Sequence, residues 1–186
     1  MREQMNNTCY MCDLPATGKP EHVPPKCLFP EQKDLPGSNF RKNLITVPSC
    51  DTHNSKKSMD DAYLMFVLVA HFTNNSVATR QFTTKILRAL QKRSNLRKFY
   101  TRETKDCLLF GQKTMAFKVD KARFDRGIDH IARGLYFHEF RNIWRGRIVI
   151  HSSALLALEG DNAKTKNKIT QDIAIYTRIF FQDAKP

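Results

Sequence analysis

Cys9-Tyr10-Met11-Cys12 and Cys50-Asp51-Thr52-His53, with 37 residues between them, are the two halves of a metal-ligand pattern. A C-x2-C and a C-x2-H knuckle each bend tightly enough for both side chains to face one ion. Together they supply the four soft or borderline ligands of a closed tetrahedral zinc site. Taken singly, the thiols would be small buried hydrophobes and His53 an ordinary polar residue. Paired spacing at both ends of a loop-rich, weakly hydrophobic segment favours structural Zn²⁺, because a segment with so little core needs a staple. The chain has five cysteines. An odd count without an export signal argues for reduced thiols over a disulfide framework, and Cys27 and Cys107 remain as free thiols.

Around the knuckles the sequence is punctuated by Pro15, Pro20, Pro24, Pro25, Pro30, Pro36 and Pro48, which predicts loops and short strands. Asn43-Leu-Ile-Thr-Val47 fits one such strand. From Asn54 or Ser55 to Phe72 the chain is free of Gly and Pro and becomes apolar, which predicts a helix that starts polar and finishes buried. Arg80 to about Tyr100 reads as a second helix, basic on one side, and residues 120 to 140 as a third. Leu108-Leu109-Phe110-Gly111 fits neither period. Arg147–Ile150 and Ile173–Phe181 are β-branched and aromatic and predict strands. The expected class is α+β: a zinc-stapled module in residues 1–75, then a basic, mainly helical extension in 76–186 with C-terminal strands.

The 186 residues carry a formal charge of +13. Residues 1–75 balance to zero, 76–150 carry +12 and 151–186 carry +1, and Arg80 to Arg102 holds eight basic residues without an acid. A localised surplus of this kind points to a polyanion, since each phosphate neutralised releases a counterion. Lys85, Arg88, Lys92, Arg93, Arg97 and Lys98 are spaced to track a phosphate backbone, and Arg145 stands beside Trp144, the sole tryptophan. The longest apolar run, Ala62–Ala70, is far short of the roughly twenty residues of a membrane span. With no secretory signal either, a cytoplasmic protein is expected.

Between and after the knuckles lie Glu21-His22-Val23-x-Pro25, Asn43-Leu44, and His53-Asn54 with Lys57. With the C-x2-C and C-x2-H pairs, these motifs resemble an HNH endonuclease of the ββα-metal group over roughly residues 9–60. The resemblance implies a ββα site in which Glu21 and Asn54 bind one Mg²⁺ or Mn²⁺, His22 acts as general base, Asn43 orients it and Lys57 contacts phosphate. The division of labour suits phosphodiester hydrolysis, which needs an activated water and a Lewis acid for the leaving oxygen. His53 stands where many relatives have Cys, Asn54 where His is common, and Asn43 lies seven positions before Cys50, further upstream than usual.

These readings combine into a metal-dependent DNA endonuclease acting on duplex DNA, in a restriction-like or phage-related setting, with a possible homodimer for a double-strand cut. Two other readings stay open: a non-catalytic zinc-knuckle nucleic-acid-binding protein, and an RNase or nuclease toxin.

Overall fold

A computed structural model describes residues 7–71, 74–92, 104–109, 112–152, 155 and 160–181. The chain forms two compact units, Met1–Gly146 and Arg147–Pro186, whereas the sequence suggested a division after residue 75. The architecture is α+β, with helices and two small two-stranded sheets.

In the first unit, β1 (Glu21–His22) pairs antiparallel with β2 (Thr46–Val47), placing Glu21 opposite Val47 and His22 opposite Thr46. The Val23 amide extends the pairing to the Ile45 carbonyl at 3.0 Å. Strand geometry starts only at Thr46, because Asn43 adopts a left-handed φ of 57° that ends any run of extended backbone before it. After β2, two 3₁₀ turns, Asp51–His53 and Ser55–Lys57, lead into α1 (Ser58–Val69). Asp60 and Asp61 occupy the first turn of α1, where the helix dipole favours acids. Its second half buries Leu64, Met65, Phe66, Val67 and Val69, so it starts polar and finishes buried, as its sequence predicts.

Asn75 caps α2 (Ser76–Gln81) by accepting the Ala78 amide at 2.9 Å; the helix continues through a π turn, Phe82–Ile86, into α3 (Leu87–Lys92). The remainder of the second expected helix, 93–100, lies outside the described residues. Leu108 and Leu109 belong to β3 (Thr104–Leu109), which forms a hairpin with β4 (Gln112–Phe117). The third expected helix is α4 (Lys121–Phe140), N-capped by Asp120.

Two glycines let α4 approach the module closely. A Cβ on Gly134 would lie 2.5 Å from Val23 Cγ2, and one on Gly127 would lie 3.0 Å from Leu64 Cδ2. Phe137 enters the core formed by Cys9, Tyr10, Val23, Val47 and Cys50. On the polar side Arg123 pairs with Asp60 at 2.5 Å, and the Asp120 amide donates to the Tyr63 hydroxyl at 2.7 Å. The knuckle module therefore shares its core with a helix more than forty residues downstream of it.

In the second unit the expected strand over Ile173–Phe181 is part of a helix, α5 (Ala163–Phe181). Ile169, Ile173 and Tyr176 recur at helical spacing, and this period outweighs the β propensity of the individual residues. Arg147–Ile150 forms no strand; among the described residues it has no partner strand to complete a ladder. No helix among the described residues is long and apolar enough to cross a membrane.

Candidate metal centre and the adjoining acidic cleft

The first knuckle is shaped by its own turn. The Cys9 amide donates to the Leu14 carbonyl at 2.9 Å, and the Tyr10 amide to the Pro48 carbonyl at 2.9 Å, which brings the first pair beside the end of β2. The second pair forms through the 3₁₀ turn in which the His53 amide donates to the Cys50 carbonyl at 3.1 Å. As a result Cys9, Cys12, Cys50 and His53 offer four ligand atoms that all lie within 4.8 Å of one another. For zinc bonds of about 2.3 Å to sulfur and 2.0–2.1 Å to nitrogen, a regular tetrahedron has edges of about 3.8 Å between sulfurs and about 3.5 Å from sulfur to nitrogen. Cys12 and Cys50 Sγ are 3.9 Å apart, and Cys9, Cys12 and Cys50 Sγ lie 3.4, 3.5 and 3.2 Å from His53 Nδ1. This cluster could hold a metal ion such as zinc.

The surroundings suit a closed site. Cys9 and Cys50 are buried, and the Met11 amide points at Cys9 Sγ from 3.5 Å, as a donor to a thiolate would. Burial, with Lys57 nearby, lowers the pKa of His53 and favours the neutral imidazole that ligates metals. From α4, His130 sets its ring 5.7 Å from that of His53, and its Nδ1 is hydrogen-bonded to the Tyr10 hydroxyl at 3.1 Å. Burial, reinforced by Lys57 and His53, pushes the His130 pKa down to about 4. Spacing alone gives His130 no ligand-like companion, so the sequence offers no signal for its place beside the cluster.

One residue beyond His53 the chemistry changes from soft to hard. Glu21, His22, Asn54 and Asp61, with Lys19 and Lys26, line a cleft of about 670 Å³. Asn54 lies between the two 3₁₀ turns, and its Nδ2 donates to the Lys19 carbonyl at 2.6 Å, leaving Oδ1 as the free acceptor type. His22 Nδ1 is buried without a hydrogen-bond partner among the described residues. Glu21 is buried, and Lys57 Nζ stands 2.7 Å from its Oε1 and 2.7 and 2.8 Å from the two Asp61 carboxylate oxygens. Burial raises the pKa of both carboxyls, while Lys57 pulls each back down. Cys27 also faces the cleft; burial pushes its thiol up to about 11, so it stays protonated and donates to the Asp61 carbonyl at 3.5 Å.

The structure thus brings Glu21, His22 and Asn54 together and redirects other expected site residues. Asn43 is exposed in the turn before β2, and the residue opposite His22 is Thr46; the expected orienting bond to His22 Nδ1 is not formed. Lys57 is buried between two carboxylates and is not presented to a phosphate. Lys85 donates to the Cys27 carbonyl at 2.9 Å, and its burial lowers its pKa. Arg88 makes a bidentate pair with buried Asp34 at 2.7 and 3.0 Å. Arg145 pairs with Asp13, while Trp144 packs edge-on against Tyr136, with centroids 5.1 Å apart. Lys92 is exposed on α3; Arg93, Arg97 and Lys98 lie outside the described residues. The sequence reading missed Asp61, although its position four residues after Lys57 in the first turn of α1 was a usable signal.

In comparisons with known proteins, no family model matches the chain, and no curated protein or solved structure matches it significantly.

Proposed function

We propose that this chain is an HNH-type endonuclease that hydrolyses phosphodiester bonds in duplex DNA with one divalent cation. The observation that carries the reading is the meeting of Glu21 and His22 from β1 with Asn54 from the turns between β2 and α1 in one cleft, directly beside the Cys3His cluster. A pure binding module has no need of hard oxygen donors next to a soft site.

The donor set fits Mg²⁺ or Mn²⁺: one carboxylate from Glu21 and one amide oxygen from Asn54, with open cleft beside them for water and phosphate. When bound, such an ion supplies Lewis-acid stabilisation of charge on the leaving oxygen. The remaining work belongs to the chain. His22 takes the proton of the attacking water through Nε2, since its Nδ1 is buried. Lys57 offsets the burial of Glu21 and Asp61 and holds both carboxylates at the cleft floor. Zn²⁺ at Cys9, Cys12, Cys50 and His53 fixes Asn54 through the adjacent residue.

Mg²⁺- or Mn²⁺-dependent nicking of supercoiled plasmid by the zinc-loaded protein tests the reading, with single-stranded RNA as a parallel substrate. DNA cleavage supports it, RNA-only cleavage replaces it with a ribonuclease, and cleavage of neither removes it. Whether a double-strand cut forms reads out the homodimer that such a cut requires.

A further inference from the structure

The engagement of Lys85 and Arg88 by Cys27 and Asp34 leaves open which cations meet the substrate. Around the cleft most are already committed to the protein itself. Arg80 donates to the Asp34 carbonyl at 3.3 Å, Lys85 to that of Cys27, and Arg88 pairs with Asp34. Arg41 binds the Phe29 carbonyl at 3.1 Å and Glu31, and Lys33 also pairs with Glu31. Lys57 is buried between Glu21 and Asp61. Lys19 and Lys26 differ: both are exposed, both line the cleft that holds His22, and neither ammonium has an acidic or hydrogen-bonding partner among the described residues.

We infer that Lys19 and Lys26 grip the substrate phosphates, and that the basic helix serves to hold one of them in place. The inference rests on the nuclease reading above and supplies its substrate-binding residues. Both lysines have anchored backbones and free ends. The Lys19 carbonyl accepts from Asn54 Nδ2 at 2.6 Å and from the hydroxyl of fully buried Ser49 at 3.3 Å. The turn Lys26–Leu28 is pinned by three side chains: Lys85 and Cys27 Sγ, already described, and buried Gln81, whose Nε2 donates to the Leu28 carbonyl at 2.6 Å. A lysine mounted this way is a positioned point charge with three donors, suited to non-bridging phosphate oxygens.

Charge balance points the same way. Glu21 and Asp61 against Lys57 leave the cleft floor with one net negative charge, which repels a phosphodiester. Lys19 and Lys26 reverse that sign at its walls. A grip confined to phosphates is sequence-blind.

The test measures binding of the zinc-loaded full chain to a fluorescent DNA duplex, without added Mg²⁺ or Mn²⁺, across a salt series. If each lysine neutralises one phosphate, K19A/K26A should make the slope of log K against log salt shallower by about 1.8, and K19R/K26R should restore it. In cleavage, K19A/K26A should raise KM with little change in kcat, with zinc content unchanged. Lys92→Ala should leave the slope within half a unit of wild type. A K19A/K26A slope equal to wild type, or a larger loss in Lys92→Ala, overturns the inference; if wild type still cuts DNA, the nuclease reading stands without it. A wild type that neither binds nor cuts DNA removes both.

Discussion

Two sites meet at the His53–Asn54 peptide and are built on opposite principles. In the Cys3His cluster each ligand atom faces its three companions, two of the thiols are buried, and α4 closes over it with His130. In the neighbouring cleft, burial works against the charges it encloses. Glu21 and Asp61 have raised pKa values that one lysine only partly offsets, and His22 Nδ1 has no partner. The first arrangement organises a loop-rich segment that could not bury enough apolar surface by itself. The second leaves polar groups incompletely satisfied within reach of solvent, the condition under which a site can take up a ligand and move a proton. Stability and proposed chemistry are thus divided between adjacent residues, and variants on either side should separate them.

The largest effect is expected on the soft side. Structural zinc contributes on the order of 10 kcal/mol to small domains, so chelation, or Cys50→Ala, should abolish the cooperative thermal transition of the first unit. Retention of wild-type Tm by metal-free protein, verified by elemental analysis, would mean that the apolar core suffices alone. Next in size is Lys57→Met. It strands buried Glu21 and half-buried Asp61 and should destabilise by about 3–5 kcal/mol, the range for breaking a buried ion pair from one side. E21Q/K57M should recover part of that loss in denaturant unfolding, and a double variant as unstable as the single one would break the assignment. Gly134→Ala comes third. The added Cβ meets Val23 at 2.5 Å, an overpacking expected to cost about 1–3 kcal/mol with zinc content unaffected.

The smallest effect concerns pH. Arg88 holds the Asp34 carboxyl below the usual carboxylate range. A depressed folded-state pKa contributes stability that is present above the unfolded value and is lost as pH falls through the folded one. Tm should therefore fall on acidification below about pH 4, near the unfolded Asp pKa, and Arg88→Ala should flatten that dependence. Parallel profiles for the two proteins would contradict the pair's role.

Short-range spacing made the soft cluster legible: two x2 knuckles named all four residues that gather there. Glu21, His22 and Asn54 were singled out by the resemblance their motifs carry, and they share one cleft. What spacing does not carry was missed. His130 reaches its site through helix packing, and no local pattern distinguishes it from other surface-type residues. The basic helix shows the limit of charge counting, which locates cations and says nothing of their partners; Lys85 and Arg88 are engaged by the loop over residues 27–34, which offers them a carbonyl and a carboxylate. Asn43 failed through backbone conformation, and α5 because its period of apolar residues prevailed over their β propensity.

The central claim is that the hard cleft performs chemistry which the soft cluster only supports. Its most direct test compares zinc-loaded wild type with His22→Ala in Mg²⁺-dependent plasmid nicking at equal zinc content. Loss of a general base costs about 10²–10⁴-fold in rate, so the variant should nick at least a hundredfold more slowly with its Tm within a few degrees of wild type. Equal rates in the two proteins would contradict the account.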